Sequence, residues 1–182
     1  MNTGQTMLTI AALALLSIIT MRYYESVSQN GQNLAQSNAG LTATTIATSY
    51  IERAQNTAFD EQSIGNPVDS IQKNINILTA PASLGADGPI EKMSIDSLDD
   101  FDDFAYYNHS NPVVYHPGNI NETYKVEFNV YYVDTSDIMT QVNYRTFVKK
   151  MDVKVYRVDS ASIQAEFDTV RMSTIFGLFK YN

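Results

Sequence analysis

The sequence predicts an α+β protein, a long N-terminal α-helix whose C-terminal half packs on an antiparallel β-sheet head. Three observations lead there. Residues 6–21, TMLTIAALALLSIITM, contain no charge, glycine or proline, the mark of a helix that is apolar on all sides. The chain then carries no charged side chain between Glu25 and Glu52 and no proline before Pro67, so nothing there halts a helix outright. The last third contains segments rich in Val, Tyr and Phe that alternate apolar and polar residues, the pattern of strands with one buried face.

The first helix draws its apolar surface from Met7, Leu8, Ile10, Leu13, Leu15, Leu16, Ile18, Ile19 and Met21. Such a surface must be covered by lipid or protein. The apolar run is slightly short for a membrane span of about 20 residues, but Tyr23 and Tyr24 follow it and suit the headgroup interface. A secretory signal would have a cationic start and a small-residue cleavage motif. Here Asn2, Thr3, Gly4 and Gln5 precede the run and MRYYES follows it, so retention of the helix is expected.

Beyond Glu25, Val27, Leu34 and Leu41 recur at a spacing of seven, and Ala43, Ile46, Ala47, Tyr50, Ile51 and Ala54 extend an apolar stripe at helical steps. A helix from Thr6 to Ala58 would be roughly 80 Å long at about 1.5 Å per residue. Gly31 and Gly40 each weaken it by about 1 kcal/mol relative to Ala, and the competing expectation is a break at Gly31 followed by a polar linker. Tyr50, Ile51, Ala54 and Phe59 are the expected contacts between helix and head. This divides the chain into a helix over residues 1–58 and a β-rich head over 59–182.

The head opens with loops, IGNPVD and LTAPASLGADGP, where proline and glycine cluster. Residues 70–78 fit either a short helix or an extended segment. Tyr124, Val126, Phe128, Val130 and Tyr132 share one strand face, as do Met151, Val153 and Val155 in a second strand and Ile163, Ala165 and Phe167 in a third. Lys149, Lys150 and Lys154 read as cations on a solvated strand face.

Composition excludes several functions. A formal charge of −8 and the lack of a basic stripe argue against nucleic acid as a partner. With no cysteine there is no disulfide, thiolate metal site or thiol nucleophile. Nucleotide, zinc and serine-hydrolase motifs are missing, so neither an enzyme nor a cofactor is expected. The Asp-rich stretch SIDSLDDFDDF offers Asp99, Asp100, Asp102 and Asp103 to a hard cation such as calcium. Without the EF-hand spacing, a solvated acidic loop anchored by Phe101 and Phe104 is the stronger expectation. His109 and His116 fall in an aromatic loop, and Asn108 and Asn121 begin N-x-S/T glycosylation patterns.

GQTMLTIAALALLSIIT followed by the long neutral helix resembles type IV pilins and pilin-like proteins. The order SYIERAQNTAFDE, LTAPASLG, DDFDDFAYYN and strands ending in VKVYRV is similar to theirs across nearly the whole chain. The resemblance implies a long helix packed on an antiparallel sheet, extraction from the inner membrane by pilus-type assembly machinery, and polymerisation with copies of itself into a cell-surface filament. Gly4 and Gln5 become candidate processing positions. Where such pilins carry Glu at the fifth mature position, this chain has Thr9 if cleaved after Gly4 and Gln5 if it starts at Met1. The alternatives are a minor pilin or pseudopilin of a secretion or uptake apparatus, and a membrane-anchored extracytoplasmic module binding through Tyr106, Tyr107, His109 and Tyr115.

Overall fold

The computed structural model describes residues 3–64, 68–118, 122–158 and 169–178. Its first element, α1, is a helix over Thr3–Gln55. Gly31 and Gly40 are both helical, so the helix continues as expected and the competing break at Gly31 does not occur. The hydroxyls of Thr9, Ser17, Thr20, Thr44, Thr45 and Thr48 donate to backbone carbonyls one turn earlier, so they need no outside partner. The helix ends where Asn56 and Thr57 N–H groups tighten onto the Arg53 and Ala54 carbonyls.

The chain divides into two compact units, Met1–Ala39 and Gly40–Asn182. Within the second, residues 40–55 of α1 pack on a four-stranded antiparallel sheet of order β1-β2-β3-β4, formed by β1 (Val113–Tyr115), β2 (Tyr124–Tyr132), β3 (Val148–Arg157) and β4 (Val170–Gly177). Register places Val126 opposite Val155, Phe128 opposite Val153 and Val130 opposite Met151. Period-two alternation therefore gathers these side chains on one face, where Ala43, Ile46, Ala47 and Ala54 meet them. Small residues on the helix allow close approach, and Tyr50 packs edge-on against Phe128 with ring centroids 5.4 Å apart. Ile51 is half-buried against the same core. Phe59 lies in a neighbouring cluster with Ile71, Leu78 and Tyr132.

Residues 70–78, which fit two readings in the sequence, fall in a short helix, α2 (Val68–Lys73), and a single 3-10 turn. The expected strand through Ile163, Ala165 and Phe167 lies outside the described residues. The strand beside β3 is β4. Its inward face reads Val170, Met172, Thr174 and Phe176, with Ile175 turned outward. Thr174 interrupts the apolar alternation but accepts the Gln55 side-chain amide at 2.6 Å, so a polar pair at the helix–sheet seam hides the strand signal.

Candidate functional site

Residues 3–38 of α1 are all exposed within the chain. Leu15 and Ile18 each keep 61 % of their surface open, and Met7, Leu8, Ile10, Leu13, Leu16, Ile19 and Met21 are comparably bare. A helix this apolar and this uncovered has no stable place in water alone. By length and composition α1 can cross a membrane. The only charges before Glu52 are Arg22 and Glu25, which pair with each other at 3.3 Å. This local pairing leaves a segment without net charge, and the hydroxyls of Thr6, Thr9, Ser17 and Thr20 donate to helix carbonyls. Gly4 lies within this helix with open space around its Cα, and Gln5 accepts the Thr9 hydroxyl through its carbonyl.

A second centre lies inside the head, where two sequence expectations are corrected. Lys149 is not on a solvated face: it is fully buried. Its Nζ donates to Asp60 Oδ2 at 2.8 Å, to the Phe59 carbonyl at 2.9 Å and to Asp102 Oδ1, and it lies 4.5 Å from the Phe59 ring centroid. The signal was available, because Lys149 has the parity of Met151, Val153 and Val155 along β3. Nor is the Asp-rich stretch a solvated loop. Asp100, Asp102 and Asp103 are buried together with the expected anchors Phe101 and Phe104, whereas Asp99 is exposed.

A parallel bridge holds this stretch in place: Ala58 N–H donates to the Asp99 carbonyl and Phe101 N–H to the Ala58 carbonyl. Asp100 Oδ1 then accepts the Asp102 and Asp103 N–H groups at 2.8 and 3.0 Å. Burial, with Asp102 and Asp103 adding to it, pushes the Asp100 carboxyl up to about 8. Burial also raises Asp102, and Lys149 offsets only part of that. At Asp60 burial is outweighed by Lys149 and by the Thr79 and Gln62 N–H groups, and its carboxyl is held below the ordinary range. Asp103 is pushed up to about 7 by burial and then by Glu91 and Asp102.

Asp99 and Asp103 converge with Glu91, which the sequence reading did not single out, and their carboxylate oxygens lie within 4.8 Å of one another. Asp100 and Asp102 are not part of this group. Glu91 sits after the Asp87–Gly88–Pro89 turn with no local ligand spacing to reveal it. Only the tertiary fold brings it to the Asp-rich stretch.

His109 and Tyr115 border separate recesses. His109 is exposed and its Nδ1 lies 2.9 Å from Glu127 Oε1. It borders a groove of about 570 Å³ on the outer sheet face with Asn108, Lys154 and Arg171. Tyr107 is buried and donates to the Glu91 carbonyl, and Tyr115 faces Ser49 and Tyr50 across a smaller recess. Asn108 is exposed, and Asn121 lies outside the described residues. No protein-family model, no curated protein and no solved structure matches the chain.

Proposed function

We propose that this chain is a structural subunit of an extracellular type IV pilin-like filament and polymerises through the first part of α1. The observation that carries this reading is the unbroken exposure of residues 3–38 on a helix without net charge. Its partners are copies of itself, brought together by pilus-type assembly machinery, with the inner membrane holding the helix beforehand. In a filament with heterologous contacts, each helix lies beside identical ones and every charge on it repeats with each subunit. A flank without net charge suits that environment, in which unpaired charges are strongly disfavoured.

Covering about ten large apolar side chains at roughly 1.5–3 kcal/mol each yields on the order of 15–30 kcal/mol before ordering costs. This is enough to drive polymerisation. The α+β head, with residues 40–55 of α1 on an antiparallel sheet, is compatible with the pilin-like arrangement.

The test is electron microscopy of sheared surface material from cells expressing Leu15→Lys or Ile18→Asp. Filaments should vanish while the head keeps its native near-UV spectrum in detergent. Normal filaments from either variant would overturn the proposal. A wild-type protein that stays monomeric after detergent removal would instead favour the anchored binding module.

A further inference from the structure

We propose that Glu91, Asp99 and Asp103 form a calcium site that fastens the Asp-rich stretch to the turn around Glu91. The inference goes beyond the filament reading and does not depend on it. Two independent observations meet there. The three carboxylates place one oxygen each within 4.8 Å of one another, a span that two oxygens bound at about 2.3–2.6 Å to one calcium ion can cover. Separately, Asp103 is only 3 % exposed, and its Oδ2 is buried without a hydrogen-bond partner. A buried carboxylate oxygen left unpartnered is costly.

Among the described residues no Lys, Arg or His forms an ion pair with Glu91, Asp99 or Asp103. The nearby buried cation, Lys149, is taken up by Asp60 and Asp102.

The ligands are held from outside the cluster. Glu91 Oε2 accepts the Asp87 and Gly88 N–H groups at 3.1 and 2.7 Å, and the Tyr107 hydroxyl donates to the Glu91 carbonyl at 2.6 Å. A Cβ at Gly88 would lie 3.0 Å from both Glu91 carboxylate oxygens, so glycine permits this approach of turn and carboxylate. Asp99 is fixed through its carbonyl to Ala58, and Asp103 through its N–H to Asp100.

Oxygen-only ligands select a hard cation, and partly exposed carboxylates from irregular segments suit calcium's flexible coordination better than the strict octahedron of magnesium. Water completes the shell on the exposed Asp99 side. The expected affinity is that of extracellular calcium modules, ~10⁻⁴–10⁻³ M.

The experiment uses the full chain in detergent, stripped with a chelator and titrated with CaCl₂ by calorimetry, with MgCl₂ as the comparison. One calcium should bind per chain. At a free concentration roughly a hundred times Kd, calcium should raise Tm by about 5–10 °C, with magnesium doing markedly less. Asp103→Asn and Asp99→Asn should each weaken binding at least about tenfold, as loss of a charged ligand does. The Asp103 variant should also be more stable than wild type in chelator, because it loses a repelled buried charge. The unliganded protein and the calcium response therefore move in opposite directions. No binding heat and no Tm change in wild type up to ~10 mM calcium, well above the expected Kd, would overturn the site. An equal calcium response in wild type and both variants would do the same. Filament formation by the wild type has no bearing on either outcome.

Discussion

Replacing Lys149 with Met tests the head's interior directly. The side chain is fully buried and its ammonium serves Asp60, Asp102 and the Phe59 carbonyl. Lys149→Met keeps most of the volume but leaves two buried carboxylates without their counter-ion. Breaking one partner out of a buried ionic cluster costs about 3–5 kcal/mol, a large part of the roughly 5–15 kcal/mol that holds a domain together. At about 3–4 °C per kcal/mol for a unit of this size, Tm should fall by about 10–20 °C.

Thermal unfolding of the detergent-solubilised full chain, followed by near-UV circular dichroism, reads this directly. Lys149→Met combined with Asp60→Asn and Asp102→Asn should recover much of the loss, because no unpaired charge remains. In the single variant both carboxyls favour the neutral form, so their folded pKa values rise above the unfolded ones. The deficit should then grow as pH rises from 5 to 8. A single variant within about 3 °C of wild type would refute the reasoning, since that is less than 1 kcal/mol. A triple variant no more stable than the single would assign the loss to packing instead.

Two further outcomes follow from the same physics. Asp60 has a folded carboxyl below its unfolded value, so its contribution is present above about pH 4 and disappears as pH falls through the lowered value. Asp60→Asn should therefore destabilise the head more at pH 7 than at pH 3, measured by urea unfolding at each pH. Arg22 and Glu25 form an exposed pair within α1, worth only about 0.2–0.5 kcal/mol in the isolated helix. Under the filament reading, Arg22→Ala should reduce filament yield far more than it changes Tm, and Arg22→Ala with Glu25→Ala should restore much of that yield in sheared-fibre quantification.

Local spacing alone fixes the elements whose side chains repeat in a simple period. The run from Thr6 to Met21, the stripe through Ala43, Ile46, Ala47 and Ala54, and the inward faces of β2 and β3 could all be read because local spacing alone sets which residues share a face. The exposed apolar surface that the filament reading uses was equally legible, since a run without charge and with apolar residues on every side needs cover from lipid or protein. The places where polar groups meet across long separations are set by the folded chain instead. Parity puts Lys149 on the inward face of β3, but its partners Asp60 and Asp102, 89 and 47 residues away, come to it only in the fold. Likewise Glu91 joined Asp99 and Asp103, and Thr174 found Gln55. A charge stays buried only where partners converge in three dimensions, and no local period encodes that convergence.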